Sequence, residues 1–541
     1  MNQADDAPVG RTHDLVISRG LVVDGTGRPG HVGDVGIVGD TIVEVTTAPG
    51  RLSGRRVLDA TGRLVVPGFF DIHSHADLSL VLDPRAHSAL LQGVTSVVTG
   101  NCGYGAVPPG GGQVELAANA PGGRVSDPGV PAWHSFPEYL EVLASGGTGI
   151  NVFPLVSHAM LRLAVAGFAP RPVTDAELAE MTAMLRDAMQ AGAAGFSTGL
   201  EYAPGCYATA RELGALGKEA GQYDGLYATH CRNRTEHVEG AVREATSVAL
   251  AGGCRLQLSH FVPRPAWPHR DAHERALEHC RRAPVPVRFD VFPFSHGPTP
   301  LANVLPGWVR GDGPVAAGRR LADPRLRKEI VAQLDPRFVE LVHSRHAAQT
   351  YVVCDGRDGT SVGRTLADLG RDSDGLTAAL DLLGAAGPDH REVTVLEPWA
   401  TADELDRALL AEDYYLMGDG ITAGLDGPVA GRIFSLSDWG WAPAVLSRFV
   451  RDRNLLSLPD AIHRMTRAPA RQAGVRDRGS IEVGAKADLV VLDLAAIEAN
   501  FDPAHPGRQP SGIGEVLVNG TVVVAEGRPT GNLAGQVGLA R

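Results

Sequence analysis

Two histidines stand one residue apart in Phe70-Asp71-Ile72-His73-Ser74-His75, directly after the apolar run Leu64-Val65-Val66-Pro67-Gly68-Phe69. On a β-strand, positions i and i+2 face the same side. His73 and His75 can therefore aim two imidazoles at one point, and neutral imidazole is the commonest metal ligand among side chains. Two exposed loop histidines would be the plainer reading of so short a motif. The choice turns on whether other strands also end in ligand-type residues.

The middle of the chain alternates strand-like and helix-like segments, the pattern of parallel βα units. Eight strands are expected: 65–72, 95–99, 150–156, 194–198, 226–229, 255–259, 285–289 and 414–417. Between them lie helical stretches. Thr174-Asp175-Ala176-Glu177 is a capping box opening a helix that runs to Gly192, a fitting C-cap. Residues 211–223, 236–251 and 271–282 also have helical spacing. Eight such repeats point to an α/β fold, a closed (β/α)8 barrel of the TIM type, whose chemistry sits at the C-terminal strand ends. Those ends read His73 and His75; Asn101-Cys102; Ser157-His158; Ser197 through Tyr202; His230-Cys231-Arg232-Asn233; Ser259-His260; Phe289-Asp290; and Gly418-Asp419-Gly420. Scattered structural residues rarely place His or Cys at so many ends, which favours a metal site.

The flanks differ. Residues 1–63 and 470–541 show short β-like runs punctuated by Gly and Asp, and are expected to join in one small β-sandwich bracketing the barrel, residues 64–294 and 404–469. Residues 295–403, between strands seven and eight, carry their own helical pieces near 323–333 and 373–383. They are too long for a loop and read as an inserted subdomain or lid.

The whole chain has 541 residues, 44% of them hydrophobic, and a net charge of −12. Such an acidic chain lacks the basic patch that nucleic acid requires. No apolar run is long enough to span a bilayer, and Met1–Thr12 has no signal-peptide pattern. The six cysteines show no regular spacing and no C-x-x-C, so they read as reduced thiols in a cytoplasmic protein. The three lysines, Lys218, Lys328 and Lys486, all lie away from the strand ends.

The spacing Asp71-x-His73-x-His75, then His230, His260 and Asp419, resembles the amidohydrolase superfamily. Three finer motifs resemble its D-aminoacylase (N-acyl-D-amino-acid deacylase) branch. These are Gly100-Asn101-Cys102-Gly103, the run from Gly195-Phe196-Ser197-Thr198-Gly199-Leu200 to Tyr202, Pro204-Gly205 and Tyr207-Ala208, and Ala228-Thr229-His230 with Arg232-Asn233. The resemblance implies that Cys102, His230 and His260 hold one zinc tightly. It implies that His73, His75 and Asp419 form an adjacent, weaker site, and that Tyr202 contacts substrate. Many relatives bridge two metals with a carboxylated strand-four lysine. None of the lysines here can serve, which leaves Cys102 as the substitute, and a thiolate suits zinc better than magnesium.

The expected activity is hydrolysis of a linear amide (N-acyl) bond in a small-molecule substrate. Zinc-bound hydroxide is the nucleophile, and Asp419 moves the proton to the leaving nitrogen. Arg232 can bind a carboxylate or pair with a nearby acid. His158 can line the pocket or orient a ligand, and Asp290 can be structural. Three departures from the branch stand out. Ser259-His260-Phe261-Val262-Pro263-Arg264 lacks the usual lysine. Asp290-Val291-Phe292-Pro293-Phe294 lacks both tyrosines of the usual Asp-x-Tyr-Pro-Tyr. Near Ala430-Gly431-Arg432-Ile433 the usual His-Pro-Arg is missing. Carboxylate recognition should therefore be rebuilt, with Arg264, Arg232 or Arg432 as replacement cations, and ordinary N-acyl-D-amino acids should be poor substrates. A cyclic amidase, a deaminase and a non-catalytic scaffold are the rival readings. The oligomeric state is left open.

Overall fold

The computed structural model describes residues 13–538 except 106–130, 132, 265–269, 311–313, 340, 341, 343, 358 and 371–374. Met1–Thr12 and the start of the helix expected over 373–383 lie outside the described residues. Where the Thr174 capping box predicts a helix, Asp175–Ala191 forms one. The Thr174 side chain accepts from Glu177 N, the Glu177 side chain accepts from Thr174 N, and Gly192 closes the helix in the left-handed region at φ 112°.

The strands at which the chemistry is expected run parallel. Phe69–Asp71, Val94–Val97 and Asn151–Val152 pair in one set. Leu155–Ser157, Gly195–Gly199, Leu226–His230, Arg255–Leu258, Val287–Val291 and Tyr414–Leu416 pair in another, in that spatial order. Backbone hydrogen bonds join the two sets on both sides. Phe153 N donates to Val97 O and Leu155 N to Thr99 O, at 2.9 Å each. His75 N donates to Gly420 O at 2.7 Å and Asp419 N to His73 O at 2.9 Å. Apolar residues of every strand and of the surrounding helices share one large buried core.

The strand expected over 65–72 is two strands. Leu64–Pro67 pairs with His13–Val22 and Leu489–Leu492, and Phe69–Asp71 pairs with Val94–Val97. The change of sheet falls at Gly68, where a Cβ would run into the Thr95 side chain. Among the described residues, strands of both chain ends share one nine-stranded sheet with its own apolar cluster around Ile17, Val35, Leu489 and Leu517. The segment between Val287–Val291 and Tyr414–Leu416 carries a three-stranded antiparallel sheet of His296–Pro300, Thr394–Pro398 and Tyr351–Cys354. A further apolar cluster around Leu301, Leu366, Leu383 and Val395 backs it. No helix of the described residues is long and apolar enough to cross a membrane.

Candidate metal centre

The C-terminal strand ends converge. Cys102 Sγ lies 3.3 Å from His73 Nε2 and 3.2 Å from His260 Nε2. His230 Nδ1 is 3.2 Å from His260 Nε2. Asp419 Oδ1 lies 3.2 Å from His75 Nε2 and 3.5 Å from His73 Nε2. Three overlapping groups, His73–His75–Cys102, Cys102–His230–His260 and His73–His260–Asp419, each bring their ligand atoms within 4.8 Å of one another, and all six residues are buried. Each group could hold a metal ion, and Cys102 belongs to two of them.

The local backbone is bent to achieve this. Cys102, His260 and Asp419 all have positive φ, at 53°, 37° and 56°, which non-glycine residues rarely adopt. Around Cys102 the turn is possible because Gly100 and Gly103 take φ of 78° and 71°. A Cβ on Gly103 would sit 2.6 Å from Gly199 N, so only a glycine lets the turn lie against the strand Gly195–Gly199. Asp71 ties strands one and eight together, accepting from His73 N and Gly418 N at 3.0 Å each. Burial pushes its carboxyl up to about 7.

Charge within the cluster is finely set. Burial alone would raise the Cys102 thiol, but the neighbouring His73 and His260 rings hold it well below its usual value. Burial also opposes the charged form of His75, yet its contacts with Asp419 and Cys102 raise it to about 9. Asp419 stays ionised against burial because of His73 and His75. Burial, helped by Arg234, lowers His260 to about 4.

A second ring of side chains holds the first. Glu201 Oε2 is 2.7 Å from His230 Nε2, which turns Nδ1 toward the cluster. Arg234 Nη1 stands 2.9 Å from His260 Nδ1, and its Nη2 is 3.4 Å from Glu201. Asp290 Oδ2 is 3.4 Å from His73 Nδ1, and Asp290 also accepts from His260 N and from Gln257 Nε2. The segment between Val287–Val291 and Tyr414–Leu416 reaches the same place. The Trp399 ring lies 5.3 Å from that of His260, with Arg234 and Arg264 over it at 4.5 and 5.0 Å. Arg264 also faces Glu201 at 3.8 Å and Glu397 at 3.6 Å.

Of the remaining expected site residues, Tyr202 stands against the cluster, its hydroxyl 3.3 Å from His230 Nδ1. His158 is buried one layer away, 2.8 Å from Glu212 Oε1, and Glu212 also binds Arg162 at 2.7 Å. Arg232 donates to Glu244 and to the carbonyls of Cys206 and Ala208, at 2.8–3.0 Å. Sequence reasoning missed Glu201, Arg234 and Trp399. Glu201 stands within the strand-four end, Arg234 lies one residue past the strand-five end, and nothing local marks Trp399.

Such a cluster at the carboxyl ends of parallel strands defines a metal-dependent hydrolase. The amidohydrolase family pattern matches residues 56–276 and 417–524. The chain belongs to the amidohydrolase family, in its D-aminoacylase branch, whose members act on C–N bonds other than peptide bonds. It is 33% identical to an N-acyl-D-glutamate deacylase of Alcaligenes xylosoxydans xylosoxydans, over 96% of this chain and 95% of that one. It is 30% identical to a D-aminoacylase of the same organism, over 100% and 99%. The crystal structure of N-acyl-D-glutamate deacylase from Bordetella bronchiseptica, complexed with zinc and a phosphonate mimic of the tetrahedral intermediate, superposes with a TM-score of 0.79. The identity is 30%, covering 98% of this chain and 100% of that one.

Proposed function

We propose that the chain is a zinc-dependent hydrolase of a linear amide (N-acyl) bond in an atypical N-acyl amine or amino-acid derivative. The convergence of Cys102, His230, His260, His73, His75 and Asp419 within bonding reach of shared points carries this reading. Three parts organise it: a closed (β/α)8 barrel over 64–294 and 404–469, a chain-end β unit over 1–63 and 470–541, and a lid over 295–403. The free cysteines suit a reducing, cytoplasmic setting.

The donor set fits zinc, which takes thiolate, imidazole and carboxylate ligands together. Cys102, His230 and His260 would hold a tight ion, and His73, His75 and Asp419 a weaker one. Zinc supplies Lewis acidity, which acidifies water and polarises the scissile carbonyl. The protein's own groups do the rest. Asp419, kept ionised by His73 and His75, takes the proton of the attacking water and returns it to the departing nitrogen. Glu201 and Asp290 fix the ring orientations of His230 and His73, as outer partners of metal-bound imidazoles do. Tyr202 and Trp399 wall the cluster against bulk water.

The test is a screen of the zinc-loaded chain against N-acyl amines and N-acyl amino acids, with N-acetyl-D-methionine included as an expected poor substrate. Products are identified as acid plus amine. Asp419→Asn should lower kcat about 10²–10⁴-fold while zinc stays bound at Cys102, His230 and His260. Ammonia as product would point to deamination and ring opening to a cyclic amidase. Full activity in Asp419→Asn would remove the proposed proton carrier.

A further inference from the structure

Resting on the hydrolase reading above, we propose that Arg310 and Arg391, on the inserted segment, form an anion subsite that receives a carboxylate of the substrate across Tyr104 and Tyr202. Arg310 ends the short helix Gly307–Arg310, and Arg391 lies in the turn Gly387–Glu392. Arg391 Nη2 donates to the Arg310 carbonyl at 3.2 Å, which brings the two residues together. Arg391 Cζ sits 4.8 Å over the Phe168 ring.

What sets this pair apart is the lack of an acid. The fully buried arginines face carboxylates: Arg162 faces Glu212, Arg234 faces Glu201, Arg464 faces Asp460, and Arg478 faces Asp488. Among the described residues neither Arg310 nor Arg391 forms an ion pair, and the buried Arg310 Nε and Arg391 Nη1 have no hydrogen-bond partner. Burial, with Arg310 alongside, lowers the Arg391 guanidinium to about 10. A guanidinium held out of water beside a second one is unfavourable unless an anion completes the site. A planar fork of N–H donors is the partner that a carboxylate fits best.

Tyr202 packs against the apolar cluster that contains Val309, the neighbour of Arg310 in the chain. The Tyr104 ring lies 6.1 Å from His75 and 5.4 Å from Tyr202, and Tyr202 lies 4.6 Å from His230. Tyr104, Tyr202, Arg310 and Arg391 each keep part of their surface exposed. Arg264 and Arg232 cannot take this part as they stand, because each already faces a carboxylate.

The experiment measures calorimetric binding to the zinc-loaded Asp419→Asn chain, so that turnover does not intrude. Two isosteric pairs are compared: N-acetyl-D-alanine with its amide, and N-acetyl-D-glutamate with N-acetyl-D-glutamine. In at least one pair the acid should bind about tenfold or more tighter than its neutral partner. Arg310→Met and Arg391→Met should each erase most of that preference and leave the neutral compound's affinity unchanged, while Arg391→Lys keeps part of it. Arg391→Met should also melt no lower than its parent, since an unpaired buried charge has been removed. No preference in either pair, or a preference that survives both methionine variants, overturns the subsite. Turnover of the same four compounds by the parent chain is measured separately. A preference without any turnover would sink the hydrolase reading and leave the subsite standing.

Discussion

Glu201→Gln keeps the shape of a buried side chain and removes its charge. The carboxylate lies 2.7 Å from His230 Nε2, 3.4 Å from Arg234 Nη2 and 3.8 Å from Arg264 Nη2. Those charges overcome burial and hold it well below the usual carboxylate range. An amide oxygen can still accept from His230, so the ring stays aimed. What is lost is the negative charge that makes the imidazole a stronger donor to a cation. Outer partners of this kind are worth about 10–100-fold in metal affinity, or roughly 1.4–2.7 kcal/mol. The variant also strands Arg234, whose only acid partner among the described residues is Glu201, whereas Arg264 keeps Glu397 at 3.6 Å. Breaking a buried pair costs about 3–5 kcal/mol, and the partial cover left to Arg264 places the loss near the lower end. The assay is zinc affinity by chelator competition, read beside the melting temperature of the metal-free chain. A zinc Kd within about twofold of the parent, at or below the resolution of such a titration, would refute the orienting role of Glu201.

Cys102→Ser should abolish tight zinc binding, because the thiolate belongs to both the His73–His75 and the His230–His260 groups and a serine hydroxyl is not ionised at neutral pH; metal analysis after dialysis checks it. Acid stability has a separate source. Burial depresses His273 and His390 to about 4, so the stability they contribute is whole above the ordinary 6.5 and is lost as pH falls toward 4. Each contributes up to about 1.4 kcal/mol per pH unit in that window. The melting temperature of His273→Leu should therefore fall less steeply between pH 6.5 and 4.5 than that of the parent in the same metal state.

The parts of this site that could be read in advance are those with a one-dimensional signature. His73, His75, Cys102, His230, His260 and Asp419 each follow an apolar β-run at the point where a parallel strand must end, and ligand-type residues at such ends are conspicuous. The second ring has no such signature. Arg232 and Arg234 stand two apart after the same strand and differ in nothing local, yet the first turns to Glu244 on the following helix and the second to His260 and Glu201. Which one faces the metal depends on how the chain leaves the strand, where the alternation of a β-strand no longer applies. Trp399, Arg310 and Arg391 are harder still, since a segment folded on its own apolar cluster can dock in many ways and nothing in its composition says which edge meets the strand ends. The break at Gly68 shows the same limit from the other side. Residues 64–70 are one run without a charged or polar side chain, and only the approach of Thr95 reveals that a Cβ at Gly68 would block the passage from one sheet to the next. Residue type near a strand end therefore announces a metal-binding cluster, while the side chains around it come from segments far apart in the chain. Family resemblance for this chain accordingly constrains the reaction more tightly than the compound on which it acts.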